Sequence, residues 1–479
     1  MSEAIRSTPI ARPASFAHAQ SRAMGMSVGA IAFYSLLTSI ALTAIPYGAP
    51  EPWWKAFFQC VVFIIAAISI CDTRTSFKLL ATYWRLFLPL LVLIAYAFSQ
   101  TLPWVNRGSA ISADAFQTKL SILQLVSFLL VAGLLIRYVG TVQRVVLVID
   151  VLMGIGFVSA CFGVLRQLMQ RDDGFLLPNL ERGFGYAQFI NANHFAFLME
   201  MVLGLGLGIA VLGGVKGTRR LIYLCAALPM WIALVLSNSR GGIVSGVFQV
   251  VLISLTIFNR GSHKSGATTL TRLKTKIVNV ILVFALLSIA TIAVVYVGGD
   301  SLAGRIDSAR GEFNNDTART YVLRKSIWQA TWKMIKDQPM AGVGFGGYWM
   351  AITRYHDAPG DITPQQAHND YLEFIASGGI IAVAIVIWFV FEFARYVLRA
   401  LRRADAFGRA VRFASLLAVA TVAVHSLTDF GLHIPINALL LTVLLTLAVI
   451  ELPRRSLNVN EGALRRPDSN IRTAVARTS

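Results

Sequence analysis

Charge is scarce in this sequence. Only 14% of its 479 residues are Asp, Glu, Lys or Arg, where a soluble chain carries about 25%. Acidic residues are the rarer kind, 24 against 43 basic ones. Cysteine is nearly missing. Cys60, Cys71, Cys161 and Cys225 all fall in or at the ends of apolar segments, so no loop pair exists to build a disulfide frame or a thiolate metal site. No Gly-Lys-Ser/Thr follows a glycine run, no Asp-x-Asp pair occurs, and no His, Cys, Asp or Glu spacing suits a metal ion. These absences exclude a P-loop nucleotide site and a nucleotide-sugar site of the Asp-x-Asp type, and the expectation is neither metal nor cofactor.

Apolar residues fill the space. They make up 56% of the chain, with a mean hydropathy of +0.64, and many runs reach the roughly 20 residues that cross a bilayer. The pattern predicts an all-α polytopic membrane protein. About twelve transmembrane helices are expected, at roughly 26–47, 54–72, 79–100, 118–138, 145–168, 191–214, 220–237, 241–258, 277–297, 376–396, 411–431 and 435–452. The first run is too long for a cleaved signal peptide and others follow it, so it reads as a first span. The chain then divides into a basic tail (1–25), nine spans (26–297), one long polar loop (298–375), three spans (376–452) and a second basic tail (453–479).

The net charge of +19 does not point to nucleic acid. Lys and Arg sit in short clusters between spans and in the tails, as the positive-inside rule produces. With both termini cytoplasmic, the short outer segments hold only Lys55, Arg107, Lys119, Arg166, Arg171, Arg182 and Arg240. The loop 298–375 then faces outward, together with Asn193, His194, Arg240 and His433. Arg240 sits in the tight link Ser237-Asn238-Ser239-Arg240-Gly241-Gly242, near bilayer depth, where a charge usually has a partner or a function. Snorkelling to lipid headgroups is the plainer account.

Within the loop, Asp316 or Thr317 can cap a helix from about Ala318 to Asp337 that Pro339 stops. Tyr321, Trp328, Trp332 and Ile335 recur at helical spacing as one amphipathic face. Arg319 in the first turn, beside free backbone N–H groups, suits a phosphate, and Arg324 is its substitute should the helix be rotated. Gly342, Gly344, Gly346 and Gly347 read as a flexible turn that lets backbone approach the membrane domain closely. Thr363 and Pro364 suggest a second helix start, which sets His368 about one turn in, at the mouth of the membrane domain; Gly378 and Gly379 would loosen that helix. A lone His is more often structural than catalytic, but this one has arginines for company. His425 and His433 flank Asp429 in HSLTDFGLHIP, a cluster placed either to orient His368 or to cap a helix end.

Taken together, SNSRGG at 237–242, Arg319 with W-x-x-x-x-x-x-I-K-D-x-P, G-V-G-F-G, A-H-N-D-Y-L-E with its following G-G, and N-A-N-H-F-A at 191–196 resemble the O-antigen ligase and O-antigen polymerase family of bacterial envelope glycosyltransferases. The resemblance runs from about the sixth span to the end. It implies metal-independent glycosyl transfer at the periplasmic face of the inner membrane, from a glycan on undecaprenyl diphosphate to a sugar hydroxyl on lipid A core or a growing glycan. Carried over, Arg240 and Arg319 would hold the diphosphate and His368 would be the essential His. Arg324, the substitute for Arg319, and Asn193, His194, Asn369, Asp429 and His433 as candidate supports are read from their own positions and not from the resemblance. The chemistry agrees: displacing a sugar from a diphosphate needs cations on the leaving group and a base on the attacking hydroxyl. A protein-glycosylating relative shares the motifs. A lipid-linked oligosaccharide flippase would favour internal repeats and charge at mid-membrane, and a peptidoglycan polymerase would favour an acidic base.

Overall fold

The computed structural model describes residues 27–72, 78–103, 110–169, 185–260, 316–356 and 364–451, with backbone alone at 257–260 and 316–323. The regular elements in these segments are helices: α1 (Val28–Thr43), α2 (Pro52–Ile70), the short α3 (Lys78–Ala81), α4 (Trp84–Ser99), α5 (Ala115–Tyr138), α6 (Val142–Leu168) and α7 (Ala192–Val211). After them come α8 (Gly217–Leu236), α9 (Arg240–Arg260), α10 (Asp316–Asp337), the short α11 (Tyr348–Ala351), α12 (Asp370–Arg403), α13 (Ala406–His425) and α14 (Pro435–Val449). Starts are set by polar caps and prolines. The side chains of Asp114, Thr141, Asn191 and Asp405 each accept a first-turn N–H, and Pro52 and Pro435 lead α2 and α14, where a missing N–H costs nothing.

Seven helices, α2, α5, α6, α7, α8, α12 and α13, are long and apolar enough to cross a membrane; α1, α4, α14 and Arg240–Thr256 of α9 are shorter apolar helices. The chain is thus an all-α membrane protein. Each expected span except the ninth coincides with one of these helices. That span (277–297), the two tails, His18 and His263 lie outside the described residues.

The core centres on α7. Its residues from His194 to Gly206 are buried without a break, as befits a helix that is apolar on all sides. Glycines bring α13 close to it. A β-carbon at Gly208 would stand 2.6 Å from Ala414 Cβ, and one at Gly204 3.0 Å from Ala418 Cα. This small-residue seam lets polar groups on the two helices meet.

The glycine run is not a loose turn. At Gly379, α12 breaks, with φ 63° and ψ −169°, and the chain from Pro339 to Phe345 lies in the break. Val343 and Gly344 N–H donate to Ala376 and Ser377 carbonyls at 2.9 Å each, and Ile380 N–H donates to Pro339 O at 2.9 Å. The Tyr96 hydroxyl donates to Ala341 O (3.0 Å) and Gly378 O (2.9 Å), and Gln100 Nε2 donates to Ala341 O at 2.8 Å. A side chain at Gly379 would meet Met340 O at 2.3 Å, so the break and the crossing strand of backbone require one another. The expected close approach is present; the expected flexibility is not.

The face of α10 meets expectation in part: Trp328 and Ile335 are half-buried, with Ile335 packed on the buried cluster and Trp328 bonded to Ala367 O. Ile327, Ala330, Thr331 and Met334 are buried, whereas Trp332 is 51% exposed and the Tyr321 side chain is outside the description. The buried Thr331 hydroxyl shares a 2.6 Å hydrogen bond with the Tyr348 hydroxyl, which turns the helix so that a polar residue faces inward.

Candidate active site

At one end of the bundle the N-termini of α7, α9, α12 and α14 meet the C-terminus of α13. Asp429, in the α13–α14 link, is their common partner. Its side chain is 2% exposed, with Arg324 Nη2 3.7 Å from one carboxylate oxygen and His368 Nδ1 3.8 Å from the other. Those are ion-pair distances rather than hydrogen bonds. The Phe430 N–H donates to Asp429 at 2.8 Å, and Asn193 Nδ2 donates to its other oxygen. Burial alone would push this carboxyl up, but the His368 imidazole, the Phe430 amide and the nearby His194 outweigh it and hold it below its ordinary 3.8. A folded-state value below the unfolded one means that the carboxylate stabilises the site at every pH above about 3.8, and that this contribution fades as pH falls through the depressed value.

His368 does not sit one turn into a helix. Asn369 is the N-cap of α12, its side chain accepting from Tyr371 and Leu372 N–H and donating to Leu427 O at 2.8 Å. His368 precedes the cap with φ 50°, a left-handed conformation costing about 1–2 kcal/mol in a non-glycine residue. Its neighbours hold it there: Ala367 N–H donates to Glu373 Oε2 at 2.8 Å, and Trp328 Nε1–H donates to Ala367 O at 2.9 Å. The helix α10 thus grips the very segment that carries the imidazole.

Phe430 is a platform for three imidazoles. His194, His368 and His433 meet its ring edge-on, with centroids 4.8, 4.7 and 6.0 Å away. His194 is buried, while His433 is exposed and lies 3.3 Å from Glu373 and 3.8 Å from Asp370. Buried Asn437 donates to the carbonyls of His194 (3.0 Å) and Gly431 (3.1 Å), locking α14 to the same corner.

Arg240 joins through its neighbour. The Ser239 hydroxyl caps α9 by accepting from Gly242 N–H at 3.1 Å and donates to Asn193 Oδ1 at 2.7 Å. Asn238 before it is left-handed, with φ 56°. A chain of hydrogen bonds therefore runs from the Arg240 turn through Ser239 and Asn193 to Asp429, beside which Arg324 and His368 stand at 3.7 and 3.8 Å. Arg240 is exposed. Arg319 lies on α10, but its side chain is outside the description. His356 hydrogen-bonds Ser326 at 3.0 Å and stands apart. Among the described residues no group of three or more His, Cys, Asp or Glu is placed to hold a metal ion.

Residues 225–387 match the family model described as O-antigen ligase. This segment is of the O-antigen ligase/polymerase family. The resemblance read from the motifs is borne out over that range, which contains Arg240, Arg319, Arg324 and His368. No curated protein matches the chain. Asn193, His194, Asp429 and His433 lie outside the matched range, yet they supply the contacts that hold the ligase-family residues in place. Sequence reasoning passed over Ser239, Phe430 and Glu200. Glu200 carried a usable signal, a lone acid inside an apolar span; Phe430 carried none.

Proposed function

We propose that the chain is a glycosyltransferase that moves a glycan from undecaprenyl diphosphate to a sugar hydroxyl, at the outer face of the bacterial inner membrane, without a metal ion. About twelve spans, cytoplasmic termini and a 298–375 segment on the outer side belong to this reading. The observation that carries the reading is the placement of His368 and Arg324 on one buried carboxylate, to which the Arg240 turn is also tied. Arg324 and His368 share that carboxylate, the Arg240 turn is tied to it through Ser239 and Asn193, and together they would supply the base and the cations that a displacement at a sugar–diphosphate bond needs.

In the proposed step the acceptor hydroxyl attacks the anomeric carbon as the bond from that carbon to the diphosphate oxygen breaks. Its proton passes to His368, whose Nδ1 is shut from solvent against Asp429, so Nε2 is the nitrogen that takes it. The charge left on the diphosphate is met by Arg240 and Arg324, and by Arg319 at the start of α10. Guanidiniums suit this role because they bind phosphate oxygens two at a time and keep their charge in a poorly solvated site. A single displacement inverts the anomeric centre. Asn369, His194 and His433 keep the imidazole and its platform in register.

The test is surface glycan from a deletion strain complemented with wild type or His368→Ala, resolved on a gel. Bare core with polymer retained on its lipid carrier identifies a ligase; core carrying one repeat unit, or loss of free polysaccharide, identifies a polymerase. In both cases the His368→Ala lane matches the deletion. A lane matching wild type would contradict glycosyl transfer at this site.

A further inference from the structure

One buried pair has no part in the step above. Glu200 on α7 and His425 at the end of α13 lie 2.7 Å apart, Oε1 to Nδ1, with side chains 0% and 1% exposed. Taking such a pair out of water usually gains no net stability over apolar residues of the same volume, so its role is better sought in geometry. The imidazole cannot rotate. The Phe197 ring is stacked on it at 4.1 Å and 21°, and Glu200 holds Nδ1. Its far edge abuts the turn that carries Arg240: a β-carbon at Gly241 would stand 2.4 Å from His425 Nε2 and 2.6 Å from Cδ2. On α9, two turns further in, Gln249 Nε2 donates to the Glu200 carbonyl at 2.9 Å and to the Thr421 hydroxyl at 3.3 Å. The helix that starts at Arg240 is therefore registered against α7 and α13 at three heights, by Ser239 on Asn193, Gly241 on His425 and Gln249 on Glu200.

We propose that the Glu200–His425 pair is the footing of the Arg240 turn, a positioning device in which Glu200 fixes the imidazole and the imidazole sets how deep Arg240 sits. The inference rests on the reading of Arg240 as a diphosphate ligand. Misplacing such a group by about 1 Å is enough to cost one to two orders of magnitude.

The test uses the full chain in detergent, with geranylgeranyl diphosphate as the binding probe and hydrogen exchange at residues 237–243 as a readout that needs no ligand. Glu200→Ala and His425→Ala are expected to weaken binding about tenfold and to speed exchange of the turn by a similar factor. Glu200→Gln keeps an oxygen that accepts from Nδ1 and stays within about twofold of wild type in both. Gly241→Ala drives a methyl into the imidazole and loses about tenfold, and because His425→Ala removes that clash, the double variant loses about tenfold in all, no more than His425→Ala alone. Thermal unfolding of each variant separates loss of the turn from loss of the fold. If Glu200→Gln falls as far as Glu200→Ala, or the Gly241→Ala and His425→Ala losses add to about a hundredfold in the double variant, the footing is wrong. Unchanged exchange in Glu200→Ala also overturns it, whatever the probe does. If exchange responds as expected but Arg240→Ala binds the probe like wild type, the footing stands and the diphosphate role of Arg240 falls.

Discussion

Purified His368→Ala is expected to lose nearly all transfer while binding the lipid-linked donor as wild type does. Removing a general base costs about 10²–10⁴-fold in kcat, and the arginines that would hold the diphosphate lie elsewhere, so KM for the donor should scarcely move. The effect should belong to the imidazole and not to the backbone. His368 is left-handed at φ 50°, a conformation that glycine adopts freely, so His368→Gly keeps the backbone path without strain and should be as inactive as His368→Ala. Turnover of the purified variants with donor and acceptor, with thermal unfolding of the same samples, checks both. A His368→Ala enzyme above half of wild-type activity would remove His368 as base.

Asp429→Asn is expected to have the next largest effect, on the order of 10²-fold in transfer. The amide keeps the shape of the carboxylate but not its charge. It cannot pair with Arg324 or an imidazolium, and it must accept at once from Asn193 Nδ2 and the Phe430 N–H with a single oxygen. Removing one partner of a buried charge cluster leaves the rest uncompensated, so the midpoint of thermal unfolding should also fall, by about 1–2 °C for a loss of about 1–2 kcal/mol in a chain of this size. The decisive comparison is the double variant. If Asp429 acts by orienting His368, then Asp429→Asn added to His368→Ala costs little further activity, because the two act as a unit. Fully additive losses would separate Asp429 from the base.

Much of the membrane architecture was legible because hydropathy reports spans directly, and the helix edges fall within about seven residues of those expected. The candidate residues were legible as types at spacings: Arg240 in a tight link, Arg324 on a loop helix, and His368 in a polar stretch. What joins them was not. Asp429 and Asn193 are 236 residues apart, and Glu200 and His425 are 225 apart, so no local pattern announces either pair. The helix start was misplaced because Pro364 suits a first turn, yet Asn369 has a side chain that satisfies two orphan N–H groups at once, and the stronger cap won. The face of α10 is legible in part: Trp328 and Ile335 turn inward as their spacing suggests, but the buried centre includes Thr331, whose hydroxyl has a buried partner in Tyr348 that no local pattern shows. The glycine run was legible as a close approach, but its complement, the break at Gly379, shows only when both segments are in place.

On the proposed function, this end of the bundle breaks a sugar–diphosphate bond in favour of a hydroxyl acceptor. The most direct measurement is reconstitution of the purified chain with an undecaprenyl-diphosphate-linked glycan and a sugar acceptor, in chelator, following release of undecaprenyl diphosphate and the configuration of the new bond. Acceptor-dependent release with an inverted anomeric centre, absent in His368→Ala, is the predicted result. Movement of intact lipid-linked glycan across the bilayer with no release of diphosphate would contradict the account and make the chain a transporter.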